Sequence, residues 1–215
     1  MSSQALTSHL PLIAILRGIT PHNVLSYADM LITAGFTMLE VPLNSPQALV
    51  SIRLLVKTYG NAYLIGAGTV TNTEQVESVI NCGANLVVTP NYNEDVVKIS
   101  VAAGCHCYPG VITPTEAFAA IAAGASGLKL FPISMMGVEG FKALKSVLPP
   151  EIKCFPVGGI TAQEESMYPY LSAGAHGFGL GSALFKPEMT LQEVEIKAEA
   201  FVSIYKNFLK SSIVS

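Results

Sequence analysis

Gly127-Leu128-Lys129-Leu130-Phe131-Pro132 is a short apolar run closed by a proline, with one lysine at its centre. Its length and its closing proline predict a buried strand. A lysine there has two readings. It can snorkel to water from a strand end. Or it can sit in the dry interior, where burial disfavours the ammonium and leaves a neutral, nucleophilic amine. The choice depends on what surrounds it in the fold.

Working outward, the same unit recurs along the 215 residues. A short apolar strand ends in Gly, Pro or a polar residue. A helix of about three turns follows, and a glycine stops it. Predicted strands cover about 10–17, 37–43, 63–69, 85–90, 106–111, 127–132, 153–158 and 177–182. Predicted helix starts are Thr20-Pro21, Ser45-Pro46, Asn72, Glu94, Thr113-Pro114, Gly137 and Thr161, and a last helix spans about Leu191–Leu209. Eight strands alternating with eight helices predict a parallel sheet with right-handed crossovers, closed as a single-domain (β/α)8 TIM barrel. A doubly wound open sheet is the alternative. Gly177-Phe178-Gly179-Leu180-Gly181 resembles its dinucleotide fingerprint only loosely and stands at the last strand. No linker or charge run interrupts the series, so residues 1–215 read as one barrel domain, with 211–215 as a frayed tail.

Composition narrows the function. Half the residues are hydrophobic and 13% are charged, yet no apolar run approaches a membrane span. A net charge of −3 argues against a nucleic-acid partner held by a basic face. Met1–His9 carries no secretion signal pattern. Cys82, Cys105, Cys107 and Cys154 form no C-x-x-C, which predicts reduced buried thiols and a cytoplasmic protein. His9, His22, His106 and His176 form no metal-ligand spacing, so no metal and no cofactor are expected, though distant residues could still assemble a site.

In a barrel, chemistry belongs at the C-terminal ends of the strands. The polar exceptions fall there: Arg17, Glu40, Thr69 and Lys129. Alternation places Glu40 with Met38 and Pro42, and Lys129 with Gly127 and Phe131, on inward faces, with Leu39, Val41, Leu128 and Leu130 toward the helices. A structural salt bridge would be one use of this pair, but barrel interiors are filled mainly by branched apolar residues. A nucleophilic amine beside a proton-carrying carboxylate is the other. Gly158-Gly159 and Gly181-Ser182 end the last two strands, where this fold frequently binds phosphate through exposed backbone N–H groups.

Taken in order, Ala14-Ile15-Leu16-Arg17-Gly18-Ile19, Leu39-Glu40-Val41-Pro42-Leu43-Asn44-Ser45-Pro46, Gly66-Ala67-Gly68-Thr69-Val70, Val88-Thr89-Pro90-Asn91, the Lys129 segment and Val157-Gly158-Gly159-Ile160 resemble the KDPG/KHG aldolase family over nearly the whole chain. The resemblance implies a metal-independent class I aldolase, a homotrimer, with a small phosphorylated keto acid as its partner. It implies cleavage of a six-carbon 2-keto-3-deoxy-6-phospho acid to pyruvate and D-glyceraldehyde 3-phosphate. By the same resemblance Lys129 is the Schiff-base lysine and Glu40 the proton carrier. Arg17 and Thr69 hold the substrate carboxylate, Pro90 and Phe131 wall the pocket, and Gly158, Gly159, Gly181 and Ser182 take the phosphate. The gluconate-type members typically have Arg where Asn44 stands and Thr where Val157 stands. These departures point to the galacto epimer, with the gluco epimer, or both, as the alternative. A phosphate-binding barrel enzyme without a covalent imine and a catalytically silent sugar-phosphate binder remain as other readings.

Overall fold

The structure, a computed structural model, describes residues 10–213. The expectation for Met1–His9 lies outside them. Strands and helices alternate as β1 (Leu12–Ile15), α1 (Val24–Ala34), β2 (Met38–Pro42), α2 (Ala48–Tyr59), β3 (Leu64–Gly68), α3 (Thr73–Ile80), β4 (Leu86–Val88), α4 (Glu94–Ala102), β5 (His106–Tyr108), β6 (Gly110–Val111), α5 (Pro114–Ala122), β7 (Leu128–Leu130), α6 (Ile133–Val147), β8 (Cys154–Pro156), α7 (Glu164–Ser172), β9 (Phe178–Leu180) and α8 (Leu191–Ile213). The last helix therefore continues through Ser211–Ile213, where the sequence reading expects a frayed tail.

Every strand pairing is parallel. One sheet runs β5-β4-β3-β2-β1-β9 and a second runs β6-β7-β8. The result is an α/β fold, a curled parallel sheet with, among the described residues, eight helices. Among the described residues nine strands stand where eight are expected because Pro109 divides the fifth into β5 and β6. Proline has no N–H to give a ladder, but its carbonyl still accepts the Lys129 N–H at 2.9 Å. On the other side of that break Ser126 N–H donates to Cys107 O at 2.9 Å. A single parallel bridge, Val157 with Gly179, joins the end of β8 to β9.

The sheet separates two apolar regions by strand alternation. Ile13, Met38, Leu64, Leu86, Val88, Tyr108 and Phe155 form an inner cluster. Their chain neighbours Leu12, Ala14, Leu39, Ile65, Val87, Cys107 and Cys154 pack outward with the helices, in one layer that also holds Leu128 and Leu130. Burial of each large side chain stabilises the fold by roughly 1.5–3 kcal/mol. All four cysteines are buried free thiols, and burial pushes Cys107 up to about 12 and Cys154 to about 11.

Several helix starts differ from expectation, and each has a hydrogen-bonding reason. Asn72 and Thr113 do cap α3 and α5, the latter in a reciprocal box with Glu116. At Thr20-Pro21, however, a turn intervenes: Thr20 O takes the N–H groups of Asn23 and Val24, and α1 begins at Val24. The Ser45 hydroxyl accepts the Gly18 N–H at 2.9 Å instead of capping α2. Thr161 N–H donates to Ser166 Oγ at 3.0 Å, and α7 starts only at Glu164. Gly137, at φ 67°, interrupts α6 after a first turn that already begins at Ile133. Among the described residues no helix is long and apolar enough to cross a membrane.

Candidate active site

Lys129 is the middle residue of β7 and lies in register with Gly110 of β6 and Phe155 of β8. Strand alternation turns it to the inner face, opposite Leu128 and Leu130, and only 6% of it is exposed. Burial drives its pKa below the ordinary lysine value; Glu40 opposes that shift and Arg17 adds to it. Snorkelling is thus not the arrangement found. The ammonium form has little water to stabilise it, and the neutral amine gains accordingly.

Glu40 occupies the middle of β2, in register with Ile15 of β1 and Gly66 of β3, and is 1% exposed. Burial raises its pKa to about 7, against the pull of Lys129 and then Arg17. Among the described residues its Oε2 has no hydrogen-bond partner. The ion pairs within 4.0 Å among the described residues, Lys98–Glu94 and Lys142–Glu139, are exposed surface pairs away from this centre. Lys129 and Glu40 therefore feel each other without forming a contact salt bridge. A carboxyl group poised near neutrality, with a free oxygen, is suited to both giving and taking a proton.

Room for that carboxylate comes from Gly68. A Cβ there would stand 2.0 Å from Glu40 Oε2 and 2.4 Å from its Cδ. The sequence shows Gly66-Ala67-Gly68 as a strand end, but the need for a glycine lies across the sheet, in Glu40.

Arg17, just past β1, donates from Nη1 to Asn44 Oδ1 at 2.5 Å and from Nη2 to Thr69 Oγ1 at 3.3 Å. Three residues that end three adjacent strands are thus tied in a row. Thr69 has φ 59°, an unfavourable region for a β-branched residue, costing of order 1–3 kcal/mol. In this conformation its hydroxyl accepts from Arg17. Asn44 thereby acquires a definite place: it holds the guanidinium.

Lys129, Arg17, Phe131, Pro90, Val157, Gly158, Gly159, Gly181 and Ser182 line one cavity of about 600 Å³. Lys129 Nζ lies 4.8 Å from the centre of the Phe131 ring. Glu40, Thr69 and Asn44 are not on its wall: Glu40 is buried in the sheet, and the other two stand behind Arg17. At the far end Gly158 and Gly159 both have positive φ, 94° and 91°, which side-chain-bearing residues rarely adopt. Among the described residues no acceptor takes the N–H of Gly159 or of Ser182, and a Cβ at Gly181 would meet nothing within 4 Å. This end is open, small and rich in backbone donors, as an anion requires. Thr161 and Lys186 also line it and were not singled out from sequence as site residues; Thr161 reads there as a helix cap. A second cavity, near His106, Lys153 and His176, lies at the opposite ends of the strands and contains none of the groups above.

Around this cavity the arrangement offers a guanidinium, an amine inclined to neutrality with a carboxyl group near it, and a set of backbone N–H groups. Among the described residues no group of His, Cys, Asp and Glu could hold a metal ion.

The family model "KDPG and KHG aldolase" matches residues 4–198. The chain is 47% identical over 197 residues to the 2-dehydro-3-deoxy-6-phosphogalactonate aldolase of Escherichia coli (strain K12), covering 92% of this chain and 95% of that protein. A solved structure described as "Native KDPGal structure" superposes with a TM-score of 0.92 at 45% identity, over 95% of this chain and 98% of that one. Another, a cube-shaped cage designed by fusing symmetric oligomeric domains, gives 0.91 at 46% identity, over 95% of this chain and 75% of that one.

Proposed function

The chain belongs to the KDPG and KHG aldolase family, and from that premise we propose that it cleaves 2-dehydro-3-deoxy-6-phospho-D-galactonate to pyruvate and D-glyceraldehyde 3-phosphate through an imine on Lys129. The observation that carries this reading is the buried pair itself: an inward lysine shifted toward the amine, close to a carboxyl group with a pKa of about 7 and an oxygen unpartnered among the described residues.

The steps follow from these groups. Neutral Lys129 Nζ attacks the C2 ketone, and a proton given by the Glu40 carboxyl lets water leave, so that a cationic imine stands with Glu40 ionised. The Phe131 ring, already 4.8 Å from Nζ, favours that positive charge. Ionised Glu40 takes the proton of the C4 hydroxyl, directly or through one water, as the C3–C4 bond breaks. The bond's electrons pass into the imine and give a pyruvate enamine, and the aldehyde departs. Glu40 returns its proton to C3, and water releases pyruvate from Lys129. Arg17, held by Asn44 and Thr69, pairs with the substrate carboxylate. Gly158, Gly159, Gly181 and Ser182 take the phosphate, whose binding energy positions C4 for cleavage. Pro90 and Phe131 wall the site. Every step is carried by side chains of the protein, and the scheme calls on no metal or cofactor.

Support for the galacto epimer comes from the name of the Escherichia coli relative and from two residues. Asn44 is occupied with Arg17, and Val157 gives the cavity a methyl surface where a hydroxyl would otherwise face C4. Action on the gluco epimer, or on both, is the second reading.

The same reading extends to architecture and setting. The Val157–Gly179 bridge and the hydrogen bonds of Ser126 and Lys129 to the carbonyls on either side of the Pro109 break support a sheet closed as one (β/α)8 barrel domain. Likeness to a chain used as a symmetric oligomeric domain supports a homotrimer, and the buried reduced cysteines fit the cytoplasm. The test is turnover of both epimers by the wild-type protein and by Lys129→Ala. Galacto-selective cleavage that vanishes in the variant is expected; substantial cleavage by purified Lys129→Ala would remove the reading.

A further inference from the structure

We propose that Lys186 supplies the positive charge of the phosphate cradle, a role that rests on the aldolase reading above. The glycines and Ser182 offer the phosphate only backbone dipoles and one hydroxyl. A phosphate monoester carries a charge of about −1.5 to −2 near neutral pH, and desolvating it against neutral donors alone is costly. Three cationic side chains line the cavity: Arg17, Lys129 and Lys186. Arg17 is bound to Asn44 and Thr69, and Lys129 is buried and inclined to lose its proton. Of the three, Lys186 is the one under neither constraint. It has no carboxylate within 4.0 Å among the described residues, and its side chain is exposed at the rim.

Its backbone, by contrast, is fixed on both sides. Gly181 O accepts the N–H groups of Leu184 and Phe185 at 2.8 and 2.9 Å, which folds the segment after β9 back on itself. The Phe185 ring is buried edge-on against Tyr27, with centres 5.3 Å apart, and Tyr27 Oη donates to Met189 O at 2.7 Å. On the other side Pro187 packs on Gly18, where a Cβ would lie 2.5 Å from the proline Cγ. A four-carbon side chain with a strongly solvated head is thus anchored beside Gly181 and Ser182, so that it can swing onto an anion placed there. The chemistry recognised is a phosphomonoester on a short acyclic chain.

The experiment compares the wild-type protein with Lys186→Met and Lys186→Arg. For the phosphorylated substrate, Lys186→Met should raise KM about tenfold with kcat nearly unchanged, the size of one charge-assisted hydrogen bond at a partly exposed site. Lys186→Arg should restore most of the loss. Inhibition by inorganic phosphate should weaken in parallel, while the dephosphorylated substrate and borohydride trapping of pyruvate should be unaffected. An unchanged KM, or an equal loss with the dephosphorylated substrate, would overturn the proposal. Failure of the wild-type protein to trap pyruvate would instead strike the aldolase reading, and the phosphate-binding comparison, read by calorimetry, would still judge Lys186.

Discussion

Replacing Gly68 by alanine adds one methyl group where the Glu40 carboxylate already fills the space. The new Cβ would lie 2.0 Å from Glu40 Oε2, and ordinary van der Waals contact begins near 3.4 Å, so carboxylate and methyl must separate by about 1.4 Å. Gly68 sits in β3 in register with Pro42 of β2, two residues beyond Glu40, and both strands are buried throughout. The backbone cannot yield cheaply, so the Glu40 side chain must rotate away. Overpacking of this kind destabilises by about 1–3 kcal/mol. Misplacing a proton-transfer group by about 1 Å costs on the order of a hundredfold in rate. The expected phenotype is therefore specific: kcat for cleavage falls about a hundredfold, while Lys129, on β7, still forms a reducible imine with pyruvate. Steady-state cleavage and borohydride trapping, both below the variant's melting temperature, separate the two effects. Turnover within about threefold of wild type in a folded Gly68→Ala protein would refute the reasoning, because a displaced Glu40 would then have been dispensable.

Three other perturbations follow from the same geometry. In its folded environment Glu40 has a pKa of about 7 against an ordinary 4.5, so its contribution to stability is full below pH 4.5 and is lost as pH rises through 7. At about 1.4 kcal/mol per unit that loss is on the order of 3 kcal/mol; Glu40→Gln should match the wild type near pH 4 and exceed it by that order near pH 8 in denaturant titrations, and parallel curves would contradict the assignment. Phe131→Leu removes the ring 4.8 Å from Lys129 Nζ; losing a cation–π contact of about 1 kcal/mol should lower the imine equilibrium with pyruvate about fivefold, and an unchanged equilibrium counts against the ring's role. Val157→Thr exchanges a methyl for a hydroxyl on the cavity wall and should move the preference toward the gluco epimer; an unaltered ratio of kcat/KM for the two epimers would dismiss Val157 as a determinant.

The parts of this account that alternation governs were readable from sequence. Lys129 and Glu40 face inward because every second residue of a strand must, and Leu128, Leu130, Leu39 and Val41 take the other face. Features that depend on a partner far along the chain were not. Ser45 reads as a helix cap, yet its hydroxyl serves Gly18. Thr161 reads the same way, but its N–H is taken by Ser166 and the helix starts later. Pro109 splits a strand because its ladder position asks for an N–H that proline lacks. Asn44 reads as a departure from a family pattern, and the structure gives it the guanidinium of Arg17. Gly68 and Lys186 carry no local signal at all: the first matters because of a carboxylate on the neighbouring strand, the second because of where a buried phenylalanine and a packed proline hold its backbone.

The central claim is a covalent bond between substrate carbon and Lys129 Nζ. It is tested most directly by reducing the protein with borohydride in the presence of pyruvate, measuring intact mass and then mapping peptides. The account predicts one reduced pyruvyl group per chain, on the peptide containing Lys129, and none in Lys129→Ala. A folded wild-type protein that gains no such group, or gains it on another lysine, would contradict the mechanism and leave the buried pair without the role given to it here.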